Sequence, residues 1–186
     1  MTPRDIPNII SLLRIALVIP VVYFLLEREF SYALVLFFVA GFSDALDGYL
    51  ATRNNWTSRL GSILDPLADK LLLVFSYLAL GWLHEIPMWL VIAVMFRDVV
   101  IVVGAIAYHE LIGEYDMMPT WMSKTNTFFQ IMLVLAVVFS LGAYSLPGWL
   151  INTLIFTVAV TTLVSGINYV WVWGRRAMVA KRSTSE

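Results

Sequence analysis

Six apolar runs, near residues 8–26, 31–52, 60–83, 87–109, 121–142 and 149–173, dominate the chain. Each has the roughly 20 residues that a helix needs to cross the hydrocarbon core of a bilayer. Inside lipid every backbone N–H and C=O must find its partner within the protein. The alternation of a barrel strand is absent, so the runs are predicted to be helices. Polar breaks separate them: Glu27-Arg28-Glu29, His84-Glu85 before Pro87, the stretch from Gly113 to Pro119, and Gly142 with Pro147-Gly148. The expected fold is all-α, a polytopic membrane protein with six transmembrane helices in one domain over residues 1–186. A hydrophobic share of 60% supports that class and excludes an ordinary soluble domain. The first run lacks a small-residue cleavage site and leads into further spans, so it reads as an anchor rather than a signal peptide. The absence of cysteine excludes a disulfide framework, a thiolate metal site and a cysteine nucleophile.

Basic residues set the expected orientation. In a six-span arrangement Arg4, Arg53, Arg59, Lys124, Arg175, Arg176, Lys181 and Arg182 fall on one side, and Arg28 on the other. Positive charge is retained on the cytoplasmic side, which puts both termini, the 53–59 turn and the 113–120 loop there. The tail from Lys181 to Glu186 is expected to fray.

Against this apolar background four carboxylates stand out: Asp44, Asp47, Asp65 and Asp69, in the stretch DALDGYLATRNNWTSRLGSILDPLAD. An unpaired carboxylate in lipid costs several kcal/mol, so four require a compensating partner. An all-oxygen ligand set suits a hard divalent cation such as Mg²⁺, Mn²⁺ or Ca²⁺. At 100° per residue, Asp44, Asp47, Gly48 and Ala51 share one helical face, and Gly61, Asp65 and Asp69 stack on a second. The polar RNNWTSR turn between them makes the two helices antiparallel neighbours. Asp47 and Asp65 are then about 10 Å deep, with Asp44 and Asp69 deeper, at about 1.5 Å per residue. Gly48 and Gly61 bring bare backbone beside the acids and leave room for a ligand.

These residues resemble the signature of the CDP-alcohol phosphotransferases (the CDP-alcohol phosphatidyltransferases), D-x2-D-G-x2-A-R-x8-G-x3-D-x3-D. Asp44, Asp47, Gly48, Ala51, Gly61, Asp65 and Asp69 fall on it at the right spacing, and Thr52 stands where the family has arginine. The resemblance implies a divalent metal, Mg²⁺ or Mn²⁺ and two ions, held by Asp44, Asp47 and Asp65. It also implies that Asp69 is the general base, within reach of a metal. The CDP moiety is expected against Asn8, Asp44, Gly48, Ala51, Thr52, Arg53 and Gly61. Thr52 cannot supply the family's positive charge, so Arg53, Arg14 or Lys124 must. Beyond the motif, SLLRIALVIP, SRLGSILDPLADKLL, FRDVVIVVG and PTWMSKTNTFFQ resemble the family's eukaryotic-type cardiolipin synthases.

Other intramembrane polar residues have two readings each. Arg14 either snorkels to the interface or partners a phosphate or an acid; lying toward the leaflet of the acidic cluster, it favours the second. Arg97-Asp98 is a self-neutralising pair, or Arg97 faces the site and binds phosphate. Lys124 obeys the charge rule or meets a lipid headgroup, and Ser123 or Thr125 caps a helix. Arg14, Arg97 and Lys124 are the residues expected at the acceptor phosphate. Pro66 is expected to distort its helix locally, and Lys70 to be a counter-charge. His84 and His109 read as surface residues. Ser165, Gly166, Asn168 and Tyr169 are expected to pack helices closely, and Arg175-Arg176 to bind anionic lipid.

Three classes of function compete. As an enzyme the chain would move a phosphatidyl group from CDP-diacylglycerol to phosphatidylglycerol, giving cardiolipin and CMP. The neighbouring alternative is a phosphatidylglycerolphosphate synthase with glycerol 3-phosphate as acceptor. A divalent-cation transporter could use the same acids, but gains nothing from the glycines. A purely structural protein has no reason to bear the desolvation of four aspartates. The expected partners are CDP-diacylglycerol, phosphatidylglycerol, membrane lipids and a second copy in a homodimer, with no nucleic acid. The expected location is a bacterial or mitochondrial inner membrane, with the site facing cytoplasm or matrix.

Overall fold

A computed structural model describes residues 6–54, 61–112 and 121–183, with side-chain detail over 9–44, 46, 64–104, 121–169 and 171. Six helices follow one another: α1 (Ile6–Leu26), α2 (Phe30–Asn54), α3 (Gly61–Trp82), α4 (Met88–Ile112), α5 (Trp121–Gly142) and α6 (Gly148–Ser183). The first five match the predicted runs to within a few residues. The sixth runs on to Ser183, so the first half of the tail expected to fray is helical. Pro66 does not break α3, because it stands in the second turn, where the lost N–H removes a single bond.

By length and composition three of the described helices can cross a membrane: Ile9–Leu26, Trp121–Gly142 and Gly148–Tyr169. Large apolar side chains on all six helices face outward, among them Ile19, Phe42, Leu78, Phe96, Phe128 and Phe156. That inside-out surface is what a lipid solvent requires and water would penalise.

The chain divides into two compact units, residues 1–86 with 134–148, and 87–133 with 149–186. In the first, α1 packs against both α2 and α3. Val21 and Leu25 of α1, Ala33 and Ala40 of α2, and Ala68, Tyr77 and Leu80 of α3 are buried in this unit. Both α1 and α3 end in the same way. Arg28 and His84 take left-handed φ values of 60° and 62°. Glu29 N–H donates to the Phe24 carbonyl and Glu85 N–H to the Leu80 carbonyl, while Arg28 and His84 N–H groups reach Leu25 and Gly81. These are Schellman caps formed without glycine. Arg28 Nη1 then bridges the two caps by donating to Glu85 Oε1 at 3.3 Å. The C-termini of α1 and α3 therefore meet at one end, so the two helices run parallel. At the same end Ser31 Oγ donates to the Gly142 carbonyl at 2.5 Å.

In the second unit a single guanidinium ties three helices. Arg97 of α4 donates to Asp98 Oδ1 (2.9 Å), to Ser123 Oγ of α5 (2.8 Å) and to Ser165 Oγ of α6 (2.5 Å). One turn on, Tyr169 OH donates to the Ile101 carbonyl at 2.9 Å, and its ring lies over Gly104. The expected close packing by Ser165, Gly166 and Tyr169 is present in this unit, with Gly166 against the Arg97 stem.

Candidate functional site

The site is built in two layers on the inner face of α1. In one layer Arg14 reaches α2 and α3 at once. Its Nη1 donates to Asp44 Oδ1 at 2.7 Å and to Asp69 Oδ1 at 2.9 Å. Arg14 lies about 12 residues from the Leu26 end of α1, Asp69 about 13 from Trp82, and Asp44 about 14 from Phe30. All three are thus about 20 Å from the Arg28–Glu85 corner, at 1.5 Å per residue. The other layer lies one turn further from that corner. There Ser11 Oγ donates to Asp65 Oδ1. Ser11 and Arg14 are three residues apart on α1, Asp65 and Asp69 four apart on the parallel α3, so the layers stack in register.

Burial explains why the arrangement is stable. Arg14 is 1% exposed, whereas the Asp44 and Asp69 side chains are 49% and 52% exposed. A buried guanidinium without a counter-charge would be costly, and two carboxylates meet its charge at Nη1. Their open sides keep lone pairs available, since each carboxylate has about four acceptor positions. Arg14 therefore does not snorkel: it takes the acidic partner.

The chemistry of the donors fits a cation. Asp44 and Asp69 already share one positively charged nitrogen, and every described acidic donor is a hard carboxylate oxygen of the kind Mg²⁺ or Mn²⁺ takes. Among the described residues no group of three or more acidic or histidine side chains closes on a metal-sized position. Asp47, the fourth predicted ligand, lies outside the described side chains. So do Asn8, Gly48 and Ala51, and with them Thr52, Arg53 and Gly61, expected against the CDP moiety.

The two remaining basic candidates belong to the second unit. Arg97 is buried, and its Nη1 and Nη2 groups donate to Asp98, Ser123 and Ser165, as above. Lys124 is exposed, with Nζ 5.7 Å from the centroid of the Trp121 ring. Ser123 and Thr125, expected as caps, lie inside the first turns of α5 rather than before its first residue. Ser123 accepts from Arg97, and Thr125 donates back to the Trp121 carbonyl at 3.0 Å. Sequence reasoning anticipated a partner for Arg14 but missed Ser11. The available signal was the i, i+3 spacing of Ser11 and Arg14, two polar residues on one face of an apolar span.

A family model described as CDP-alcohol phosphatidyltransferase matches residues 4–168. The chain belongs to the CDP-alcohol phosphatidyltransferase family. Among relatives in it, the cardiolipin synthase (CMP-forming) of Rattus norvegicus is 38% identical over 152 residues, 72% of this chain and 50% of the relative. The cardiolipin synthase (CMP-forming) of Streptomyces coelicolor is 34% identical over 66% of this chain and 60% of its own length. The CDP-diacylglycerol–glycerol-3-phosphate 3-phosphatidyltransferase of Aquifex aeolicus is 29% identical, over 89% of this chain and 93% of the relative. This phosphatidyltransferase chain thus spans about half the length of the rat relative.

Proposed function

We propose that the protein transfers a phosphatidyl group from CDP-diacylglycerol to the free hydroxyl of phosphatidylglycerol, releasing CMP and forming cardiolipin. The observation that carries this reading is the pairing of Asp44 and Asp69 on a single cationic nitrogen between α1, α2 and α3. Two of the four signature acids, Asp44 and Asp69, thereby lie at one depth, with Asp65 one turn away. In this reading Asp44, Asp47, Asp65 and Asp69 hold the divalent ions, which neutralise phosphate oxygens and stabilise the leaving CMP. Asp69 accepts the acceptor's hydroxyl proton as the new P–O bond forms and the P–O bond to CMP breaks. Arg53 supplies the charge that Thr52 lacks. Lys124, exposed at the start of α5, makes the first contact with the acceptor phosphate. Arg97, with its donors on Asp98, Ser123 and Ser165, holds the helix that carries Lys124. Six spans, both termini and the site on the cytoplasmic or matrix side, and a homodimer complete the proposal; the charge distribution and the family resemblance support them.

The acceptor is favoured on chemical grounds. Phosphatidylglycerol carries one phosphate charge and arrives within the leaflet, so its acyl chains provide much of the binding. Glycerol 3-phosphate carries nearly two and needs several converging bases. The resemblance of SRLGSILDPLADKLL and PTWMSKTNTFFQ to cardiolipin synthases points the same way. A glycerol 3-phosphate acceptor is the second reading, favoured by the Aquifex aeolicus relative that this chain matches over nearly its whole length. A direct competition decides between them. Purified protein given CDP-diacylglycerol, Mg²⁺ and both acceptors should yield CMP and cardiolipin; phosphatidylglycerol phosphate as the sole product overturns the assignment.

A further inference from the structure

We infer that Ser11 is a positioning residue that orients the Asp65 carboxylate for its divalent ion. The inference rests on the reading above, in which Asp65 is an ion ligand. Ser11 is fully buried on the α1 face that also carries Arg14, and its hydroxyl donates across to Asp65 Oδ1 on α3. Several other helical hydroxyls in this protein turn back on their own helix, although Thr161 and Thr162 also reach the Asn126 side chain of a neighbouring one. Ser43 donates to the Val39 carbonyl, Ser76 to Leu72, Thr153 to Trp149 and Thr157 to Thr153. That is the easy option for a hydroxyl in an apolar helix. Ser11 reaches a carboxylate of a neighbouring helix, and because an ionised carboxylate can only accept, the hydroxyl is the donor of this bond.

Geometry makes this hold tight. A serine side chain has one torsion between its rigid helix and its oxygen. Anchoring Oδ1 of Asp65 to it fixes the plane of a carboxylate that is otherwise free to rotate about two bonds. The accepting oxygen keeps a lone pair, and the other oxygen remains uncommitted to this bond, so the contact orients the group without consuming it. Groups placed in this way behind a metal-binding carboxylate change its affinity for the ion by ten- to a hundredfold.

The test uses the full chain purified in detergent, without lipid substrate, and reads bound Mn²⁺ from the loss of the free-ion electron paramagnetic resonance signal. The Ser11→Ala variant should bind Mn²⁺ about ten- to a hundredfold more weakly than the unaltered protein. Ser11→Thr, which keeps the donor, should bind within about threefold of it. Thermal unfolding of the same samples accompanies each titration. If Ser11→Ala binds normally while Asp65→Asn does not, the Ser11 role is wrong and the metal site stands. Equal loss in Ser11→Thr, or loss of the fold in Ser11→Ala, makes the position a packing element and overturns the inference. If Asp65→Asn binds Mn²⁺ as well as the unaltered protein, the metal reading itself fails and Ser11 falls with it.

Discussion

Arg14 concentrates the physics of this protein in one side chain. A guanidinium in an apolar helix is tolerable only if its charge is met where it lies, and here two carboxylates meet it on the same nitrogen. Removing it leaves Asp44 and Asp69 facing one another without a counter-ion. Because both acids are half exposed, water recovers part of that loss. We expect Arg14→Met to lower stability by about 1–2 kcal/mol in metal-free detergent, below the range for breaking a fully buried pair. A divalent cation should restore most of it, since it supplies the missing charge between the same two acids. Thermal unfolding with and without Mg²⁺ measures this; a deficit that Mg²⁺ leaves untouched contradicts the arrangement. Position 14 was legible in the sequence as a charged residue in need of a partner. Which partner it takes was not, because snorkelling, phosphate binding and ion pairing all begin from the same residue at the same depth.

At the scale of the helices, ends matter more than middles. The α5 terminus is held against α2 so closely that a Cβ at Gly142 would sit 2.7 Å from the Phe30 carbonyl carbon and 2.8 Å from Ser31 N. Those are backbone atoms at a helix start and have nowhere to move. Gly142→Ala should therefore destabilise by about 1–3 kcal/mol, the range for overpacking. His84 presents the opposite case, a residue with a Cβ in the left-handed cap of α3. That conformation costs roughly 1–2 kcal/mol for a residue other than glycine, partly offset by the larger unfolded-state entropy of glycine. His84→Gly should raise stability by about 0.5–1 kcal/mol. Melting curves of the two variants should move in opposite directions, and a shift of the same sign in both would refute this account of the corner. The breaks at 84–87 and 142–148 were visible from their polar, Pro and Gly residues. The caps were not, since neither Arg28 nor His84 is the glycine that signals a left-handed helix end.

For the whole molecule, the central prediction is dependence on a divalent ion. EDTA should abolish CMP release from CDP-diacylglycerol, and Mg²⁺ or Mn²⁺ should restore it, because the acids alone cannot neutralise the charge that develops on the leaving phosphate. Undiminished turnover in exhaustive chelator would rule out the proposed chemistry. The sequence by itself determined the all-helical class, the boundaries of the first five helices to within a few residues and the common depth of Asp44 and Asp69. Each of these follows from local rules: the length of apolar runs, the 3.6-residue period and the rise per residue. Only the tertiary structure decided that α1 lies against both acidic helices, that Ser11 and Arg14 supply the partners of Asp65, Asp44 and Asp69, and that Arg97 is taken up by two serines on α5 and α6. Those pairings depend on which helix faces come together. An apolar surface looks much the same to lipid as to another helix, so the choice rests on a few polar groups whose partners are distant in the chain.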